Sequence, residues 1–205
     1  MNLSYAICVC NEYIELGHLL NFLERVRNHD TSEVIVLVDI AHEDKQVRDV
    51  IKEYANVRVI EREFDGDFAE HKNFLNKACK GKLIFNIDAD EIPQETLIKA
   101  VEELDVNDFD VLYIPRINIC PGYTDEFIKS HNFNVNEIGW INWPDFQGRI
   151  YPRNKKWVGK VHEKIEGSRV KNFSPQPHFA LWHIKSVDKQ NRQNELYRSI
   201  QAPDQ

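Results

Sequence analysis

The sequence predicts an α/β fold, a mainly parallel sheet with helices on both faces. Three short apolar runs carry that prediction: residues 5–10, 34–38 and 83–87, none of which alternates with polar residues. A strand covered on both faces reads this way, whereas a strand with one wet face alternates. Between the runs, apolar residues recur at helical spacing. Strands separated by helices are joined by crossovers that leave them parallel.

Taken in order, Tyr5-Ala6-Ile7-Cys8-Val9-Cys10 is the first strand, and Leu16, Leu19, Leu20, Leu23 and Val26 give the next helix its apolar stripe. Residues 34–38 form a second strand ending at Asp39, followed by a helix marked by Val47, Val50, Ile51 and Tyr54 and a short strand at 57–60. A helix from about 68 to 79 leads through Gly81 to the strand at 83–87. Pro93 beside Gln94 suits a helix start, with Leu97, Ile98, Val101 and Leu104 as its buried face. After a strand at 111–115 the pattern breaks. Residues 118–147, rich in Asn, Pro, Gly and aromatics, read as a long irregular binding loop. Short β pieces are expected at 149–151, 160–162 and 179–184, then a polar helix over 187–200. The 205 residues read as a single domain, with 1–116 as one half and 117–205 as the other.

Hydrophobic content of 42% with 29% charged residues describes a soluble globular protein. No basic segment precedes a long apolar one, and no run approaches membrane-spanning length, so a cytoplasmic location is expected. Cys8, Cys10, Cys79 and Cys120 form no Cys-x-x-Cys pair and read as free thiols, with Cys8 and Cys10 buried in the first strand. The net charge of −7 is uneven. Arg149, Arg153, Lys155, Lys156, Lys160, Lys164, Arg169 and Lys171, against Glu163 and Glu166, give residues 149–172 a local charge of +6, a solvated face or a phosphate-binding segment.

Asp88-Ala89-Asp90-Glu91 is the most informative short segment. It places two carboxylates one residue apart where a strand ends, at the edge where α/β folds bind ligands. Clustered carboxylates suit a hard divalent ion such as Mg²⁺ or Mn²⁺ shared with a phosphate. A solvated turn is the alternative.

The ordered series of motifs resembles glycosyltransferase family 2, with its nucleotide-sugar-binding, Rossmann-like GT-A fold and a C-terminal acceptor-side segment. The series runs Asn11-Glu12; Val36-Leu37-Val38-Asp39 with Asp44; Glu70-His71-Lys72-Asn73; Asp88-Ala89-Asp90-Glu91; Arg149-Ile150-Tyr151-Pro152-Arg153; Trp157 to His162-Glu163; and His183 with Lys185-Ser186. It is similar to the subgroup containing lipopolysaccharide-core glucosyltransferases and compact bacteriophage enzymes, over about residues 4 to 198. Where the family has a loop of small residues after Asp39, this chain has Ile40-Ala41-His42-Glu43.

The resemblance implies that 1–116 binds the nucleotide sugar and that 117–205 holds the acceptor and the catalytic groups. Asp90 would coordinate Mn²⁺ or Mg²⁺ bridging the phosphates, with Asp88 facing the ribose or reaching the metal through water, and Ala89 between them in the binding turn. Asp39, Asn11 and Glu12 would meet base and ribose, and Lys72 the diphosphate. His183 would join the metal or diphosphate site, or be a core histidine. His162-Glu163 is the catalytic pair, with Glu163 as the base for the acceptor hydroxyl. Glu163 positioning the acceptor, or pairing with Lys160 or Lys164 on the surface, are the other readings. Trp140, Trp143 and Trp157 would stack on a sugar or base, or be core.

The implied activity is inverting, metal-dependent transfer from a nucleotide diphosphate sugar, UDP-linked by preference, to a glycan or lipopolysaccharide-core hydroxyl. Transfer to 5-hydroxymethylated pyrimidine in phage DNA is the alternative acceptor reading, with the basic segment on the backbone. A non-catalytic nucleotide-sugar binding module would keep Asp39 and Asp90 without needing Glu163. A sugar-nucleotide nucleotidyltransferase would need a glycine-rich loop with a basic residue after strand one, which this sequence lacks.

Overall fold

The computed structural model of the chain describes residues 1–201. Its first half repeats strand and helix: β1 (Leu3–Val9), α1 (Tyr13–Val26), β2 (Ser32–Asp39), α2 (Lys45–Lys52), β3 (Val57–Arg62), α3 (Phe68–Ala78), β4 (Leu83–Asp88), β5 (Glu91–Pro93) and α4 (Glu95–Glu102). There follow β6 (Val111–Ile119), α5 (Asp125–Ser130), β7 (Ile141–Pro152), β8 (Trp157–Val158), β9 (Lys164–Ile165), β10 (Val170–Asn172), a 3-10 turn at Pro177–Phe179, β11 (Leu181–Ile184) and α6 (Val187–Gln201).

One sheet runs through both halves in the order β3-β2-β1-β4-β7-β6-β11-β5, with β10 beside β6. β1 is parallel to β2 and β4, and β2 to β3. β7 runs antiparallel between β4 and β6, while β11 lies parallel to β6. The C-terminal ends of β1, β2, β4, β6 and β11 therefore share one edge, and the reversed β7 brings its N-terminal half to that same edge.

The apolar runs bury both strand faces. On one face Leu3, Tyr5, Ile7 and Val9 pack with Leu16, Leu19, Leu20 and Leu23 of α1 and Leu97, Ile98 and Val101 of α4. On the other, Ala6, Ile35, Leu37 and Ile84 pack with Ala69 and Leu75 of α3. This is the period-two division that a doubly covered sheet imposes. Asp44, Asp67 and Thr124 cap α2, α3 and α5 by accepting hydrogen bonds from Gln46, Glu70 and Phe127 N–H. α3 also buries His71, Lys72 and Asn76. Asn76 accepts from buried Tyr151 Oη in the core, whereas Lys72 reaches the carboxylates at the strand edge.

The region after β6 departs from expectation. Residues 118–147 are not one irregular loop: β6 extends to Ile119, α5 occupies Asp125–Ser130, and residues 141–147 belong to β7. The mixed polar and aromatic sequence of β7 hid it, because this strand lines a site and is irregularly paired, with register shifts against β6. Residues 160–162 form a turn instead of a strand, flanked by the two-stranded β8–β9 sheet. The short β5 and β10 carried too few residues to show a pattern. The four cysteines are free, but Cys8 and Cys10 are half-buried, and Cys79 and Cys120 are the buried ones.

Gly81 turns the chain into β4 so tightly that a Cβ there would lie 2.5 Å from Ser4 N and 2.6 Å from Leu3 C, both backbone atoms. Gly17, inside α1, has ordinary room, with Val50 Cγ1 at 3.5 Å. Gly81→Ala is expected to destabilise the fold by about 3 kcal/mol, the upper end of overpacking. Gly17→Ala is expected to be neutral or stabilising by up to about 1 kcal/mol through helix propensity. Urea denaturation of the two variants checks the contrast.

Candidate active site

Asp88 leaves the end of β4 and faces Arg149 of β7, whose Nη2 donates to Asp88 Oδ2 at 2.5 Å and to Glu91 Oε1 at 2.6 Å. Glu91 is fully buried and also accepts from Arg116 Nη1 at 3.1 Å. Arg116 in turn donates to Asp145 Oδ2 through Nε (3.0 Å) and Nη2 (2.7 Å). Buried ions persist only when paired and hydrogen-bonded, and this acid–base ladder meets that condition across β4, β5, β6 and β7.

On the α3 side, Lys72 Nζ lies 2.6 Å from Glu163 Oε1, 3.9 Å from Asp88 Oδ1 and 4.4 Å from the centre of the Trp157 ring. Glu163 is therefore in a largely enclosed pair, with its side chain 14% exposed, and not in a surface pair with Lys160 or Lys164. His162 stands beside it in the left-handed region, with φ of 56°, and meets Tyr197 edge-on at 5.4 Å.

Asp90 belongs to a different cluster. His183 Nε2 approaches its Oδ2 at 3.5 Å, and Lys189 Nζ approaches the same oxygen at 3.1 Å. Lys189 also reaches Glu12 (3.7 Å) and Glu15 (3.4 Å), which ties α6 to the loop after β1. The Glu12 carboxylate accepts from the backbone N–H of Cys10 and Asn11. Asp39 ends β2 nearly buried, accepting from Ala41 N, Phe64 N and His42 Nδ1, so its carboxylate organises the loop that follows it. Asn11 is exposed and Ala89 is core.

Sequence reasoning thus placed Asp88, Ala89, Asp90, Lys72, Glu163, His162 and His183 around one sheet edge, with Asn11, Glu12 and Asp39 along the ends of β1 and β2. It assigned no role to Glu91, Arg116, Asn118, Asp145, Lys185 or Lys189, and it placed Arg149 in a basic segment read as a solvated face or a phosphate-binding stretch. Glu91 adjoined the aspartates and Arg149 stood inside a quoted motif, so both carried a signal. The others did not. The aromatic set is also different: Trp140 packs with Trp143 (5.1 Å) and Trp182 (6.3 Å). Trp157 is buried apart from them, its Nε1 donating to Tyr151 Oη at 2.8 Å.

Burial alone would raise the Asp88 pKa, but Arg149 and then Lys72 outweigh it and hold the group well below the ordinary 3.8. For Asp90, burial is likewise outweighed, by the His183 hydrogen bond and charge and by Lys189 and Lys185. Burial lowers Lys185, and Asp90 only partly opposes it. Burial pushes the Tyr197 hydroxyl up to about 12.

Among the described residues no group of three or more His, Cys, Asp or Glu side chains is gathered as a metal site. The Asp90–His183 pair nevertheless offers a carboxylate oxygen and an imidazole nitrogen facing one another. That donor set fits Mn²⁺ or Mg²⁺ if phosphate oxygens and water complete the shell, as such ions favour.

The profile of the family described as glycosyl transferase family 2 matches residues 4–172, and the chain belongs to that family. Among solved structures, S. aureus TarS 1-349 in complex with UDP-GlcNAc superimposes with a TM-score of 0.63 at 18% identity, over 90% of this chain and 59% of that one. The same fragment in complex with UDP gives 0.62 at 17% identity, over 98% and 65%. The mannosyltransferase PcManGT from Pyrobaculum calidifontis, in complex with GDP-Man and Mn²⁺, gives 0.54 at 14% identity, over 89% and 56%. The chain thus spans less than two thirds of those proteins, and at these identities the likeness is one of fold. No curated protein sequence matches the chain.

Because Asp88 and Asp90 are held below 3.8, the folded protein binds fewer protons than the unfolded chain in the acid range. Their stabilisation is complete above about pH 4 and is lost as the pH falls further. The melting temperature should decline mildly between about pH 7 and 5, because burial lowers the pKa of His71, and drop more steeply below about pH 4 as these carboxylates take up protons. In Asp88→Asn that acid decline should be shallower, as thermal scans across the series would show.

Proposed function

We propose that this chain is an inverting, metal-dependent glycosyltransferase that moves a sugar from a nucleotide diphosphate donor to a glycan hydroxyl. Family membership supports the reaction class. The observation that carries the rest is the Asp90–His183 pair at the C-terminal strand edge, flanked by Lys189 and with Lys185 contributing positive potential at Asp90. Asp90 and His183 would hold Mn²⁺ or Mg²⁺. The bound ion would neutralise charge growing on the departing diphosphate.

The chain's own groups supply the rest. Lys189 and Lys185 add positive charge on the phosphate side, and Lys72 does so from α3. Asp39, Glu12 and Asn11 line the strand ends where base and ribose would lie. UDP is preferred as the donor nucleotide because the TarS fragment is bound to UDP and UDP-GlcNAc, although the PcManGT complex holds GDP-Man. Glu163 is the proposed base: it shares Lys72 with the donor-side Asp88 and would exchange that contact for the acceptor hydroxyl.

A glycan acceptor is favoured over DNA because the basic segment is not one surface. Arg149 is consumed inside the site. Lys155 and Arg169 pair with Asp110, and Arg153 donates to the Cys79 carbonyl. With Lys156, Lys155 lines a concavity of about 490 Å³ at the N-terminal ends of β4 and β6, the edge opposite Asp88. A DNA backbone held there would not present a base to the donor. No helix among the described residues is long and apolar enough to cross a membrane, which accords with a cytoplasmic site of action.

Asp90→Ala should keep the fold and lose Mn²⁺-dependent donor binding, lowering turnover on the order of a thousandfold, about 4 kcal/mol. Calorimetric titration with UDP-sugars in the presence and absence of Mn²⁺ tests this, and full activity in the variant would refute the metal assignment. Glu163→Gln should lower kcat strongly while leaving donor affinity within a few-fold. A kcat near wild type would remove Glu163 as the base.

A further inference from the structure

His183 sits at the end of a polar relay that runs through Asn118, Asp145 and Arg116 to Glu91, the residue after Asp90. Its Nδ1 lies 2.8 Å from Asn118 Oδ1. The Asn118 amide nitrogen donates to Asp145 Oδ2 at 2.7 Å, with the Ile141 carbonyl at 3.4 Å as a second acceptor. Asp145 is fixed from the far side by Arg116 and by Gln147 Nε2, which donates to Oδ1 at 2.8 Å. Arg116 is itself anchored on the fully buried Glu91.

These contacts decide where the imidazole proton resides. An ionised carboxylate only accepts, so the Asn118 group facing Asp145 must be its NH₂. A flipped amide would set its oxygen against the carboxylate and its NH₂ against the ring. The amide oxygen therefore faces Nδ1, and having no proton to give, it requires Nδ1 to be the protonated nitrogen. In the neutral ring Nε2 then keeps its lone pair, and Nε2 is the atom turned toward Asp90.

We propose that Arg116, Asp145 and Asn118 are positioning residues that lock neutral His183 in the Nδ1–H form and so keep Nε2 free to bind a divalent cation together with Asp90. The inference rests on the metal-sharing donor site above and adds what prepares its nitrogen ligand. Outer groups of this kind typically change metal affinity by about ten- to a hundredfold.

The test reads the tautomer directly. In metal-free, ¹⁵N-labelled protein at about pH 8.5, where ordinary histidines are neutral, long-range ¹H–¹⁵N spectra should show His183 with a protonated Nδ1 and a bare Nε2, the signals assigned by their loss in His183→Gln. Asp145→Asn retains an oxygen for Arg116 and the Asn118 amide and should keep that tautomer. Asp145→Leu frees the amide to turn and should populate Nε2–H, with Mn²⁺ affinity, measured by electron paramagnetic resonance with UDP present, lower by about ten- to a hundredfold. Asn118→Leu asks the same question if Asp145→Leu does not fold. An Nε2–H tautomer in a wild-type protein that binds Mn²⁺ overturns the relay alone. The Nδ1–H tautomer in a protein that binds no Mn²⁺ overturns the metal reading and with it the relay's purpose. An unchanged tautomer and affinity in the leucine variants would likewise overturn the relay.

Discussion

The guanidinium of Arg149 is the contact on which the rest of the site depends. It is buried and shared between Asp88 and the fully buried Glu91. Removing one partner from such a cluster leaves an uncompensated interior charge, at a cost of about 3–5 kcal/mol. The cluster also fixes geometry. Asp88 and Glu91 flank the turn after β4, and Glu91 accepts its other cation, Arg116, from β6. The turn carrying Asp90 is thus clamped from both sides before any ligand arrives, which is the preorganisation an electrostatic catalyst requires.

Charge is distributed so that neither sign dominates. Asp88, Asp90, Glu91, Asp145, Glu163 and Glu12 lie within 4 Å of Lys72, Arg116, Arg149 or Lys189, and Lys185 adds positive potential at Asp90. α6 joins this balance although none of its residues is buried. It holds to the body through Lys189 ion pairs and through Tyr197, which meets Phe68 and His162 edge-on. A helix held by ion pairs and a few edge contacts can respond to a charged ligand without disturbing the apolar core beneath the sheet.

The sequence disclosed most of what is buried on both sides. β1, β2 and β4 wrote nearly continuous apolar runs because both covering layers exclude unpaired polar groups (the one exception within the runs, Asn86, donates to the Ala6 carbonyl), and the acids at their ends stood out for the same reason. β7 wrote no such run. Its residues serve the site on one side and pair irregularly with β6, so its composition resembled a loop. Arg149 and Lys155 are equivalent in a count of charge, yet one is interior and the other belongs to the opposite edge. In sequence Trp157 stands out with Trp140 and Trp143 while Trp182 does not, yet it is Trp182 that the pairing of β11 with β6 sets near Trp140. The relay through Asn118 and Asp145 was beyond reach because its residues lie 27 to 65 positions apart from their partners.

The reversed β7 has a consequence for how the chain divides. A cut after the first strand–helix half would leave every parallel pairing of β1 to β4 intact. It would also strip β4 of its neighbour along Leu83–Phe85, opening an apolar sheet edge to other chains. The same cut would strand Glu91 in the interior, with Arg149 removed outright and Arg116 left at a frayed end of unsupported β6. The half that carries the aspartates is thus not self-sufficient, and an isolated N-terminal fragment is a misfolding hazard instead of a minimal module.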